Sequence, residues 1–263
     1  MTIENKTGLG SKSIFLGSVA ISQLLFVFYI VKYFLIKGTQ SEYLTWSKVA
    51  GGLIAGDTLG NLAVGSHIVT ASLITVLGLL QFSEQIRSKL SGLHRWSGRL
   101  YICLVLLGSL SGLYMIWIRG ADAAGLMGQM SASLNAVFVI VAAVLAYKHA
   151  KAKQFVHHKL WVIRLFWVAS AVWLFRVGLY FWLFIFEIPP GIDMDIFTGP
   201  FLMIWNFGCY LIPVLFVEIY RYTNNGMLSR KVWNTTFILS SLFILIGTYA
   251  VMKLAWLPRI NSI

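Results

Sequence analysis

Seven apolar runs dominate the sequence, and each is long enough to cross a bilayer. A helix needs about 20 apolar residues to span the hydrocarbon core of a membrane. The runs cover approximately residues 14–36, 62–82, 100–118, 130–147, 160–186, 201–219 and 232–252. They are continuous rather than alternating, which disfavours the strands of an outer-membrane barrel. The sequence predicts an all-α, polytopic membrane helical bundle with seven transmembrane helices, in which residues 1–263 form a single integral membrane domain.

The composition excludes the other broad classes of protein. Hydrophobic residues make up 58% of the chain and charged residues only 11%, whereas soluble domains carry about 25% charged residues. A soluble protein of this size has too little polar surface to cover so many apolar side chains. The abundance of Trp, Phe and Leu equally excludes a disordered chain.

The net charge of +12 reflects the topology of the chain. Of the 21 Lys and Arg residues, thirteen fall in loops at one predicted face, five at the other and three within the runs. The five are Lys37, Lys48, Arg119, Lys253 and Arg259. The positive-inside rule then predicts a cytoplasmic N-terminus and an external C-terminus, and we expect the bacterial inner membrane. Basic loops also favour contact with anionic lipids, so the charge does not require nucleic acid as a partner.

Two histidines mark a candidate metal or haem site at the predicted cytoplasmic rim. His94 begins the third predicted helix and His158 the fifth, and these helices run in the same direction. Their imidazoles are therefore expected at one depth, where they could ligate haem iron or another metal. His157 is an alternative ligand to His158. Nearby cations suited to haem propionates, a phosphate or lipid head groups are Arg95, Arg99 and Arg164.

A face without side-chain volume follows His94 along the third helix. Gly98, Gly108 and Gly112 lie close to whole helical turns from that histidine. Such a face admits either a flat macrocycle or a closely packed neighbouring helix. Gly108 and Gly112 form a GxxxG pair, a motif that is typical of close helix packing.

A second polar group is predicted in the outer half of the bilayer. His67 lies about 10 Å inside the outer end of its helix, and Asn135 and Arg176 lie about 10 and 15 Å inside theirs. Ionisable residues at such depth usually face the interior of a bundle and mark functional sites. Asp57, just before the second helix, is a possible structural partner for Arg176.

These residues give the chain a resemblance to an uncharacterised bacterial family of predicted membrane proteins, a domain of unknown function. The shared marks are His67, the pair QF at residues 81–82, the run HRWSGRLY at residues 94–101, the run HKLWVIR at residues 158–164, and Arg176. The resemblance covers about residues 61–180, a four-helix core, and implies no established activity.

The same core more distantly resembles the transmembrane two-haem b-type cytochromes that move electrons from ascorbate or a similar donor. In that group, histidines near the starts of four consecutive helices pair second with fourth and third with fifth. His94 and His158 match the third-with-fifth pair, and His67 matches the second-helix member. The fourth helix has no histidine at residues 131–135. The resemblance thus implies one bis-histidine haem b near the cytoplasmic side.

Two functions remain open from the sequence. The first is a b-type haem electron-transfer protein or oxidoreductase, with a quinone or another small redox partner at His67, Asn135 and Arg176. The second is a haem-free membrane binding or transport protein for an anionic lipid or small metabolite. In the second, the basic rim holds the anionic head, and Arg176 with His67 lines a path. Neither reading identifies a catalytic residue, so enzymatic activity stays undecided.

Overall fold

A computed structural model describes residues 10–40, 45–46, 52–121, 125–223 and 226–262, and every regular element within these ranges is helical. Lys48 lies outside the described residues. The helices are α1 (Ser11–Gln40), α2 (Thr58–Gln81), α3 (Glu84–Lys89), α4 (Ser91–Trp117), α5 (Gly125–Lys151), α6 (Phe155–Ala169), α7 (Ala171–Ile185), α8 (Pro200–Thr223) and α9 (Leu228–Asn261). The predicted all-α bundle is confirmed.

Six of these helices are long and apolar enough to cross a membrane, namely α1, α2, α4, α5, α8 and α9. The sequence predicted a continuous fifth helix over residues 160–186, but the structure divides this run into α6 and α7, which are bent by 50°. The described helices therefore supply six candidate spans, or seven if the bent pair counts as one span.

The break between α6 and α7 lies at Ser170, whose ψ of 3° interrupts the helix. The Ser170 hydroxyl donates to the carbonyl of Phe166 at 2.7 Å, which is the bond by which serine competes with backbone pairing. Gln23 of α1 donates in turn to Ser170 Oγ at 2.9 Å. Polar contacts therefore stabilise the bend in the middle of an apolar run. A hydropathy profile does not reveal such contacts, so it did not predict the bend.

The helices enclose a common interior. Successive neighbours pack in the order α1, α2, α4, α5, α8, α7 and α9, and α9 packs back onto α1. Within the bent pair, α6 packs on α5 and α8, whereas α7 packs on α8 and α9.

The glycine face of α4 is covered by α2. A Cβ at Gly108 would lie 3.2 Å from Thr70 Oγ1, and one at Gly112 would lie 3.3 Å from His67 Cε1. A Cβ at Gly98 would lie 3.1 Å from Gln81 Oε1. These glycines therefore permit close approach of the two helices, and Gly108 and Gly112 also line a cavity between the helices.

Candidate functional site

A cavity of about 490 Å³ lies between the helices. His67 of α2, Asn135 of α5 and Arg176 of α7 all line it, so the structure brings together the three residues of the predicted outer site. Ala121 and Phe197, which lie in loops, also line it and extend it towards the end of the bundle where α4 ends. The volume lies within the range of about 300–1,000 Å³ that is typical of small-molecule sites.

Arg176 is a cation in the interior of the bundle, one turn into α7. Its Nη1 donates to the carbonyl of Val172 at 3.0 Å, and its guanidinium lies 5.6 Å from the centre of the Phe26 ring. No carboxylate of the described residues forms an ion pair with it. Because a charge at membrane depth is costly without a partner, Arg176 is the strongest candidate in the cavity for binding an anion.

Asp57 is not the partner of Arg176, and that prediction is wrong. Asp57 Oδ2 lies 2.8 Å from Nε of Arg119, whose side chain is only 3% exposed. Asp57 Oδ1 accepts a hydrogen bond from Gly60 N at 2.9 Å and caps the start of α2. Asp57 directly precedes the first residue of α2, so one of its oxygens caps that helix. Arg119 binds the other oxygen, which leaves neither for Arg176.

His67 is held in one orientation against α4. Its Nδ1 lies 3.1 Å from the carbonyl oxygen of Gly108 and 3.3 Å from Ser111 Oγ. Its Nε2 has no hydrogen-bond partner among the described residues. The ring therefore offers the cavity a nitrogen whose hydrogen-bonding capacity is free.

Two side-chain amides add unsatisfied polar atoms to the cavity wall. Gln23 is 1% exposed, and its Oε1 is buried without a hydrogen-bond partner in the described part of the chain. Asn135 Oδ1 is in the same state. Buried polar atoms are normally paired, so these two are available to a bound molecule or water. Sequence analysis missed Gln23; the signal was the adjacent polar pair Ser22 and Gln23 within the first apolar run.

Most of the remaining wall is apolar, with hydroxyl groups among the apolar side chains. The polar residues that line the cavity besides those named above are Thr70, Thr75, Ser109, Ser131, Ser170, Asn206 and Tyr210. An apolar wall with one cation and several hydrogen-bonding groups suits an amphipathic molecule.

The two predicted haem ligands lie together at the opposite end, which we call the motif end and define by His94 and His158. The two imidazoles are close enough to interact electrostatically. His158 Nδ1 lies 2.9 Å from the carbonyl of Ala146, and His94 Nδ1 is buried without a hydrogen-bond partner among described groups. His157 instead stacks on His149 with ring centres 5.3 Å apart. His158 and His157 thus have different surroundings, and the assignment of His158 as the partner of His94 stays a prediction.

The arginines of the motif end have different surroundings. Arg164 Nε pairs with Glu218 at 2.8 Å, and Arg221 pairs with the same carboxylate at 2.6 Å. Arg99 lies 5.0 Å from the centre of the Trp96 ring, and Arg95 is exposed. Arg164 is thus neutralised, whereas Arg95 and Arg99 form no ion pair with a described residue.

Metal binding by a larger cluster has no support in the described ranges, which contain no group of three or more His, Cys, Asp or Glu placed to hold an ion. Two histidines are sufficient for haem iron, so this absence does not test the predicted pair of His94 and His158. Neither histidine lines the large cavity or a second one of about 110 Å³.

Residues of the shared motifs at positions 81–82 and 94–101 also form contacts between helices at the motif end. Gln81 Nε2 donates to Ser97 Oγ at 2.8 Å, and the rings of Phe82 and Phe166 meet edge to face at 4.8 Å. These contacts connect α2, α4 and α6. Several of the marks shared with the uncharacterised family are therefore packing residues.

The fold and the cavity define an integral membrane protein whose helices enclose a polar-lined interior site. The chain belongs to the family described as "Predicted membrane protein (DUF2306)", whose model matches residues 64–220. This match begins at residue 64, just inside the expected 61–180 core, and continues past that core to residue 220, near the end of α8. No curated protein and no solved structure matches the chain. Nothing in these comparisons supports the similarity to the two-haem cytochromes.

Proposed function

We propose that this protein binds a small amphipathic molecule with an anionic head group, either a single-chain lipid or a small metabolite, in the cavity around Arg176. The observation that carries the proposal is that Arg176 lines the cavity and forms no ion pair with a described carboxylate. An anionic head would supply the missing partner, and a guanidinium binds carboxylate and phosphate in a bidentate way.

The walls of the cavity account for the rest of the ligand. Phe26, Val105 and Val139 offer apolar surface, while His67 and Asn135 lie among the polar lining groups. A short hydrocarbon chain or ring would contact the first group, and the head would lie beside Arg176. Release or transport of the ligand would use the end of the cavity at Ala121 and Phe197.

Equilibrium binding of radiolabelled dodecanoate to the purified protein in a neutral detergent tests this function. Dodecanoate carries one anionic head on one apolar chain. We expect Arg176→Gln to weaken its binding by at least about tenfold, because a charge-assisted hydrogen bond contributes about 1.5–3 kcal/mol. Arg176→Lys keeps the charge and is expected to retain part of the affinity.

The matched control is Arg221→Gln, which removes the same charge from the motif end and does not line the cavity. Its affinity for dodecanoate should equal that of the wild type. Equal binding by the wild type and Arg176→Gln would contradict the proposal. Competition by added lysophosphatidylglycerol, which carries one chain, would favour a lipid phosphate as the natural anion, and lack of competition would favour a free acid.

A second candidate is the b-type haem protein, favoured by one observation at the motif end. The His158 Nδ1 contact with the Ala146 carbonyl is the kind of bond that orients a metal-binding histidine and leaves Nε2 for the metal. His94 and His158 would hold the haem b, with Arg95 and Arg99 as cations for its propionates, whereas Arg164 would first have to leave its ion pair with Glu218. When bound, haem supplies one-electron transfer. In this candidate a quinone or other small redox partner takes the cavity of His67, Asn135 and Arg176.

Optical spectra of the protein expressed with ample haem, before and after reduction with dithionite, test the second candidate. A Soret band that is lost in His94→Ala and His158→Ala but retained in His157→Ala supports it. Absence of the band from the wild type contradicts it and leaves the haem-free function. For both candidates we propose that the protein lies in the bacterial inner membrane, in contact with lipids.

A further inference from the structure

The hydrogen bonds around His67 determine which of its nitrogens carries the proton. Ser111 Oγ donates to the Gly108 carbonyl at 3.0 Å, so its hydrogen is already engaged. Towards His67 Nδ1, both Ser111 Oγ and the Gly108 oxygen therefore present lone pairs only. Both contacts require a hydrogen on Nδ1, and in a neutral imidazole Nε2 is then an acceptor.

The position of this acceptor in the cavity makes it relevant to a ligand. His67 and Arg176 line the same cavity and are close enough to interact electrostatically. Arg176 can only donate, whereas His67 Nε2 in this tautomer can only accept. Asn135 Oδ1 is a further acceptor without a described partner. The site therefore presents a donor and acceptors to one molecule.

We infer that the natural ligand carries a hydroxyl or another hydrogen-bond donor beside its anionic group, and that His67 Nε2 accepts from this donor while Arg176 binds the anion. This inference rests on the proposed function, because it concerns the same cavity. It assigns His67 a role in specificity: a ligand without the donor leaves the buried acceptor unpaired.

Displacement of labelled dodecanoate by 2-, 3- and 4-hydroxydodecanoate tests the inference. The set places the hydroxyl at three distances from the carboxylate. We expect at least one hydroxy acid to bind the wild type about fivefold more tightly than dodecanoate, the effect of one neutral hydrogen bond. His67→Phe should abolish this preference, whereas His67→Gln, which carries a carbonyl oxygen, should retain part of it.

The controls separate this inference from the proposed function. Retained dodecanoate binding by His67→Phe shows that the variant is folded. Arg176→Gln should weaken the binding of both acids and leave their affinity ratio unchanged. If no hydroxy acid binds more tightly than dodecanoate, or if the preference persists in His67→Phe, the inference is wrong. If dodecanoate binding does not depend on Arg176, the proposed function itself is wrong.

Discussion

Asp57 Oδ2 lies 2.8 Å from Arg119 Nε, and this ion pair connects the start of α2 with the residues that follow α4. Arg119 also donates to the carbonyls of Gly52 and Gly60 at 2.8 and 3.2 Å. Asp57 is thereby committed to a structural contact. Arg176, deeper in the bundle, is left without a carboxylate from the described part of the chain and is available to an anionic ligand.

Substitutions of Asp57 should separate its two structural roles. Asp57→Asn keeps a capping side chain but loses the ion pair, and we expect it to lower the free energy of unfolding by about 1 kcal/mol, since the carboxylate is partly exposed. Asp57→Ala also loses the cap and should lower it by about 1 kcal/mol more. Thermal denaturation in detergent measures both effects. Glu187→Gln, which removes an exposed acid that forms no ion pair with a described residue, is the control. Wild-type stability of Asp57→Ala would contradict the assignment.

The Ser22 hydroxyl should be coupled energetically to Trp173. Trp173 Nε1 donates to Ser22 Oγ at 2.8 Å, and the two residues are 1% and 0% exposed. Ser22→Ala leaves the indole N–H buried without a partner, at a cost of about 1–3 kcal/mol. In Trp173→Phe the same serine substitution should cost less, because no N–H remains. A double-mutant cycle of unfolding midpoints measures the difference, and strict additivity would exclude the coupling.

Gly178 should tolerate no side chain, because a Cβ there would lie within the indole of Trp205. That indole is fixed by its Nε1 bond to the Phe175 carbonyl at 3.0 Å. We expect Gly178→Ala to lower stability by about 1–3 kcal/mol through overpacking. Gly17→Ala is the matched control, because a Cβ on that helix residue would meet no atom of another described segment within 4 Å. A similar denaturation midpoint for the two variants would contradict the packing of α7 on α8.

The two termini should lie on opposite sides of the membrane. If α6 and α7 together form one bent span, the chain has seven crossings. Combined with the positive-inside rule, this predicts a cytoplasmic N-terminus and an external C-terminus. Fusions of a fluorescent protein and of alkaline phosphatase to each end report the side directly, because each is active on one side only. Both ends on the same side would mean that the bent pair does not cross.

The sequence could predict the spans and the depth of polar residues, because both follow from apolar length and helical rise. It therefore placed His67, Asn135 and Arg176 at similar levels, and the three line one cavity. Their roles stay predictions. The sequence could not predict which helices are in contact, because the depth of a residue does not determine which neighbouring helix it faces. The proximity of Gln23 to Ser170 and of Asp57 to Arg119 depends on that arrangement.

The break at Ser170 was also not predictable from hydropathy. Residues 160–186 contain no proline, and the one serine looks unexceptional in an apolar run. Its effect depends on Gln23 from another helix. The glycine face of α4 left two interpretations open, and only the position of α2 shows that a helix occupies it.

Quenching of Trp173 fluorescence by 12-bromododecanoate tests the central claim most directly, because Trp173 lines the cavity and the bromine reports proximity. We expect saturable quenching in the wild type, loss of its saturable part in Trp173→Phe, and a shift to higher concentration in Arg176→Gln. The methyl ester, which lacks the charge, should bind weakly and equally to the wild type and Arg176→Gln. Quenching by the acid that is unchanged in Arg176→Gln would show that Arg176 does not bind the anionic head.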